Sequence, residues 1–125
     1  YVRLKNKRNG RNVIISSNVK SDNDSDVIVN YHGLINRGYK YFENSTIMLL
    51  KLLKKVGVSK ISIAGLDGFE SDKASNYSDD SFQNDRHRSE FEELNKEIFA
   101  MLSEVKEMLS GKCEIHFITP SRFDK

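Results

Sequence analysis

The chain has 125 residues, of which 38% are apolar and 30% charged; that is enough for one domain with a real core and too little for two. Its net charge of +2, from 20 basic and 18 acidic residues, argues against a strong polyanion-binding surface, so no nucleic-acid partner is expected. No run approaches the roughly 20 apolar residues of a membrane span, and no signal peptide is visible, so no membrane partner is expected either.

The chain opens on Tyr1 rather than Met, with YVRLKN already partly alternating, and reads as a piece excised from something longer. Arg3, Lys5, Lys7, Arg8 and Arg11 form a basic cluster without interleaved aromatics, which suits a solvated edge or linker. Val13 to Asn18 has the β-branched content and length of a buried strand. The polar VKSDNDSD follows as a loop, and Asp26 to Tyr31 is a second strand of the same kind. HGLINRGYKYFE then reads as a loop with two glycines, and its YKYF at 39–42 offers exposed aromatics.

Asn44, Ser45 and Thr46 each carry a short side-chain oxygen able to cap a helix. The body, IMLLKLLKKV, is apolar on most of its circumference, as in a helix packed deeply against a sheet. Lys54 and Lys55 suit its C-terminal dipole, and Gly57 ends it. Ile61 to Ala64 is a third strand, so strand, helix and strand are expected to form a βαβ unit with the flanking strands parallel. This strand stops at Gly65-Leu66-Asp67-Gly68, and residues 69–85 are long, polar and aperiodic, a length more often functional than idle.

Phe91, Leu94, Ile98, Met101, Leu102, Val105, Met108 and Leu109 recur at spacings of three and four, predicting a second helix closed by Gly111. Glu114 to Thr119 is the last strand, cut off by Pro120. His116 alternates with the apolar residues of that strand and so lies on its other face, at a partly covered or helix-packed position. Cys113 excludes an internal disulfide and, read as a small core residue, fits a reducing, cytoplasmic setting. It shares no metal-ligand spacing with His32, His87 and His116.

The order β, β, α, β, α, β predicts a Rossmann-like α/β domain over residues 1–125, with a mainly parallel sheet flanked by helices and one or more N-terminal elements missing. Ligands of open α/β sheets bind where the strands end and the helices begin. Here those ends carry Ser16, Ser17 and Asn18; Asn30 and Tyr31; Gly65, Asp67 and Gly68; and Thr119 and Ser121. Ser45 and Thr46 add a helix N-terminus, which favours an anion. Asn18 and Asn30 could bond a base or sugar hydroxyl, Asp67 could accept from a diol, Gly65 and Gly68 would permit close approach, and Tyr77 could close over the ligand. Strand ends must turn polar in any case, so a capping or turn role stays open for the asparagines and serines; Asp67 between two glycines is where the pattern favours function. Neither phosphate fingerprint, GxGxxG or GxxxxGK[ST], is present, nor are GxSxG and HExxH. His32 could carry a proton at this edge, but its place in the loop directly after the second strand favours an ordinary exposed histidine.

NSTIMLLKLLKKVGVSKISIAGLDGF, the NY at 76–77, SSN at 16–18, IVNY at 28–31 and FITPSRF at 117–123 together cover most of the chain in order. In these segments it resembles the C-terminal domain that follows the TIM barrel in bacterial proteins similar to 4-hydroxy-2-oxovalerate aldolase and pyruvate carboxyltransferase, of the hydroxymethylglutaryl-CoA lyase-like family. The resemblance implies that a carbon–carbon lyase reaction and its divalent metal belong to a separate barrel, with no cofactor in this domain. It is more distantly similar to Rossmann-like sialyltransferases, in which a small-polar helix start and an Asp-Gly turn hold a cytidine nucleotide sugar. That likeness implies binding roles for Asn18, Asn30, Ser45, Thr46, Asp67, Gly68 and Tyr77. The chain departs from it in having Ser-Thr-Ile where those enzymes place Gly after Ser, and in lacking a late-loop histidine beyond His87.

Three functions follow as expectations. The first is an accessory domain that binds a nucleotide, sugar phosphate or similar anion beside its own N-terminal catalytic domain. The others are a glycosyltransferase-like nucleotide-sugar domain, and a structural docking or dimerisation module that would make the protein a homo-oligomer.

Overall fold

The computed structural model describes residues 14–20, 27–70 and 88–124. Its elements are β1 (Ile14–Ser16), β2 (Val27–Val29), α1 (Ser45–Val56), β3 (Lys60–Ile63), α2 (Phe91–Leu109) and β4 (Glu114–Phe117), with single 3-10 turns at Tyr31–Gly33 and Arg88–Glu90. The chain is mixed α/β, and every described strand pairing is parallel. It divides into two compact units, Tyr1–Ile35 and Asn36–Lys125.

In the first unit β1 pairs with β2 in the register Ile15 to Ile28. Ser17 N–H extends this ladder to Val29 O at 2.8 Å. Ile15 is buried, but Ile14, Val27 and Ile28 are exposed, where buried strands were expected. Two three-residue strands make a ribbon too small to cover both of its own faces.

In the second unit β3 pairs with β4, Ile61 opposite Ile115 and Ile63 opposite Phe117. Among the described residues the parallel crossover within this unit is β3–α2–β4. Along β3 burial alternates, with Ile61 and Ile63 inward and Lys60 and Ser62 outward. Among the described residues, α1 and α2 pack on the face that carries Ile61 and Ile63. Ser62 and His116 stand opposite each other on the other face, and His116 is exposed, with Nε2 3.7 Å from Glu114 Oε2.

The core lies between that inward face and both helices. Ile47 and Leu50 of α1 meet Leu94, Ile98, Met101, Leu102, Val105 and Leu109 of α2, with Phe123 from the segment after β4. The spacing of the α2 residues places them on one stripe of the helix. Met108, predicted to be part of that stripe, is exposed and its sulfur accepts from Lys54 Nζ at 3.4 Å. Leu49 and Val56 of α1 are exposed too, so this helix is buried on one side only.

Asn44 caps α1, its Oδ1 accepting from Ile47 N–H at 3.1 Å, and Gly57 closes it by donating to the carbonyls of Leu53 and Lys54. Residues 57–59 connect α1 to β3. Lys106 Nζ reaches Phe123 O at 3.3 Å and lies 5.1 Å from the centre of the Phe117 ring, tying the segment after β4 to α2. Residues 39–42 are not an exposed aromatic patch: Tyr41 is buried, Tyr39 packs against the core, and only Phe42 is exposed among the three aromatics.

Met101, with 0% exposure, and Phe99, with 43%, are neighbours on α2 with opposite environments. Met101→Ala is expected to lower unfolding stability in urea by about 2–5 kcal/mol, and Phe99→Ala by clearly less, because only the first leaves a cavity.

Candidate functional site

The residues that follow β3 are held by side chains from three directions. Gly65 N–H donates to Thr119 Oγ1 at 2.9 Å. The Ser121 hydroxyl donates to Leu66 O and itself accepts from Phe123 N–H at 3.1 Å. Asn95 reaches up from α2 and bonds Phe69 twice, Oδ1 accepting from its N–H at 2.9 Å and Nδ2 donating to its carbonyl at 2.8 Å. Arg122 donates from its guanidinium to the same carbonyl at 3.1 Å. The Phe69 ring stacks on Phe91, 5.3 Å between centroids and 27° between planes.

Asn95 is 7% exposed, a buried polar residue on an otherwise apolar helix face. An amide buried without partners would cost several kcal/mol on the order given by transfer scales, so its two bonds to one backbone residue remove most of that penalty. They also fix where Phe69 sits.

Gly68 has φ +89°, and a Cβ there would stand 2.4 Å from Arg122 Cδ and 3.0 Å from Asn95 Oδ1. The close approach anticipated at this glycine is therefore made by the protein's own Arg122 and Asn95. Gly65, at φ +73°, has open space where its Cβ would be and serves the turn alone. Between them Asp67 is exposed, and its carboxylate makes no hydrogen bond or ion pair among the described residues.

Ser45 and Thr46 are in the first turn of α1, with the capping done by Asn44. Their N–H groups are unpaired among the described residues, as expected of a helix start. Asn18 and Asn30 belong to the first unit, and both use their side-chain oxygens locally: Asn18 accepts from the Ser16 hydroxyl, and Asn30 from His32 N–H at 3.1 Å. Asn30 thereby caps the 3-10 turn Tyr31–Gly33, and Ser17 Oγ accepts from Tyr31 N–H at 3.1 Å. His32 is exposed, with its ring edge-on to Tyr31 at 5.5 Å. Tyr77, Asn76, His87 and the basic cluster at 3–11 lie outside the described residues.

Within the second unit, then, Asp67 and Gly68 share one braced loop, with Thr119 and Ser121 of the sequence-derived edge among its braces. Asn95 and Arg122 were not anticipated. Asn95 had a legible signal, a polar side chain four residues after Phe91 and three before Ile98 on the inward stripe. Arg122 had none, since nothing local marks which backbone group a surface guanidinium will reach.

Chemically, the loop offers a carboxylate acceptor on a stiff support. Among the described residues no group of three His, Cys, Asp or Glu side chains could hold a metal ion. No helix among them is long and apolar enough to cross a membrane. No family model matches the chain, and neither a curated protein nor a solved structure is found similar to it.

A side chain at either glycine meets the left-handed backbone penalty of roughly 1–2 kcal/mol. Gly68→Ala is expected to cost more than Gly65→Ala in chemical denaturation, because it also displaces Arg122. Arg122→Ala should remove that excess, giving a coupling of about 0.5–3 kcal/mol in a double-mutant cycle.

Proposed function

We propose that the loop after β3 binds a polar, hydroxyl-bearing ligand such as a nucleotide or sugar phosphate through Asp67, within a Rossmann-like α/β architecture. Asp67 accepts from a diol, and the free N–H groups of Ser45 and Thr46 favour a phosphate nearby. The domain serves as the C-terminal accessory part of a bacterial, cytoplasmic, aldolase-like carbon–carbon lyase. The metal and the bond-breaking chemistry reside in the N-terminal catalytic domain that is its partner.

One observation carries this reading: the backbone on both sides of Asp67 is tied down by Thr119, Ser121, Asn95 and Arg122, while Asp67 itself is left unengaged among the described residues. A carboxylate held on a rigid support loses little conformational freedom when it binds, which is the arrangement that suits recognition. An ordinary solvated turn needs no such bracing.

Calorimetric titration with nucleoside monophosphates, nucleoside diphosphates and CMP-sugars tests the reading. Binding of at least one of these ligands is expected, with Asp67→Asn weakening it about tenfold or more, as for loss of a charge-assisted hydrogen bond. No heat across the panel, or equal affinity in Asp67→Asn, would overturn it.

A further inference from the structure

Residues 36–42 close on themselves, Asn36 N–H donating to Phe42 O at 3.2 Å, and the loop so formed is fastened to α2 through carboxylates. Glu97 takes two consecutive backbone N–H groups, Lys40 on Oε1 at 3.1 Å and Tyr41 on Oε2 at 2.7 Å. Lys40 Nζ pairs with Glu93 Oε2 at 2.7 Å. The Tyr41 hydroxyl lies 3.3 Å from both Glu90 Oε1 and Glu93 Oε2, and the Tyr39 hydroxyl donates to Glu104. Each of these fastenings has a Glu as acceptor.

We propose that residues 36–42 form an acid-released strap, docked on α2 by the carboxylates of Glu93 and Glu97 and freed in acid as Glu93 takes up its proton. A protonated carboxyl has one oxygen committed to its own hydrogen, so Glu97 could no longer accept both N–H groups, and Glu93 would lose its attraction for Lys40.

The groups facing the strap set the direction of the response. From α2 and the turn before it come Glu90, Glu93, Lys96, Glu97 and Glu104; the strap supplies Tyr39, Lys40 and Tyr41. From α1, Lys51 donates to Asn36 Oδ1 at 2.7 Å, with Lys54 and Lys55 beside it. None of these is a histidine.

The hydrogen bond from Lys40 holds the Glu93 carboxyl below its ordinary range. Its contribution is therefore full above the unfolded carboxylate value and is lost as pH falls through the folded one. The same bond raises Lys40, and the bond to Glu104 raises the Tyr39 phenol, so their contributions are full at neutral pH and fail only on the alkaline side. Burial lowers Lys51, whose partner here is the neutral Asn36 amide rather than a carboxylate.

Amide hydrogen exchange of the full chain, expressed as protection factors, tests the strap directly. Between about pH 7 and about pH 3, below the ordinary carboxylate range, protection at Lys40 and Tyr41 is expected to fall about tenfold or more while Ile98 and Met101 of α2 keep theirs. Glu97→Gln should already show the low value at neutral pH. Constant protection at Lys40 and Tyr41 would overturn the proposal. So would loss at Ile98 and Met101 with the same pH profile, or wild-type exchange in Glu97→Gln.

Discussion

Apolar burial holds the inward stripe of α2 against β3 and β4, from Phe91 through Ile98 and Met101 to Leu109. A helix of 19 residues fixed along its whole length is a stiff rod, and the other parts of the second unit take their positions from it. Asn95 and Glu97 sit two residues apart on this rod and point to different sides. Each bonds main-chain groups of a neighbouring loop twice, Asn95 at Phe69 and Glu97 at Lys40 and Tyr41. The hydrophobic term sets the frame, and a few directional bonds to backbone decide how the loops lie upon it.

The two clasps differ in what their loss would cost. Asn95 is buried, so its partners at Phe69 have little water to turn to, and breaking the clasp leaves groups unsatisfied. The ion pair at Lys40 is more than half exposed, with side-chain exposures of 55% and 53%, so solvent can replace much of it. That ion pair is the part of the strap's attachment most open to solvent, while Tyr41 remains anchored in the core.

The secondary elements were largely legible in the sequence because their causes are local. The three-and-four spacing from Phe91 to Leu109 marks α2, and Asn44 with Gly57 brackets α1. Strand partnership was not legible: β3 pairs with β4 across α2, and nothing within a strand records its partner. Gly68 shows the same limit at the site. A glycine there signals close approach, but only the folded chain identifies the approaching group as Arg122, 54 residues further on. Nothing local marks the Glu side chains at 90, 93, 97 and 104 as partners of residues 39–41, and only the folded chain brings them together.

The ties on the Gly65–Phe69 loop also have a kinetic meaning. Its bonds to Asn95, Thr119 and Ser121 span 26, 54 and 55 residues of chain, so none can form from local encounters. Closing such distances costs entropy that must be met by contacts already in place, which here are those of α2 with the strands. The stretch bearing Asp67 should therefore acquire its native shape only after α2 has docked on the strands.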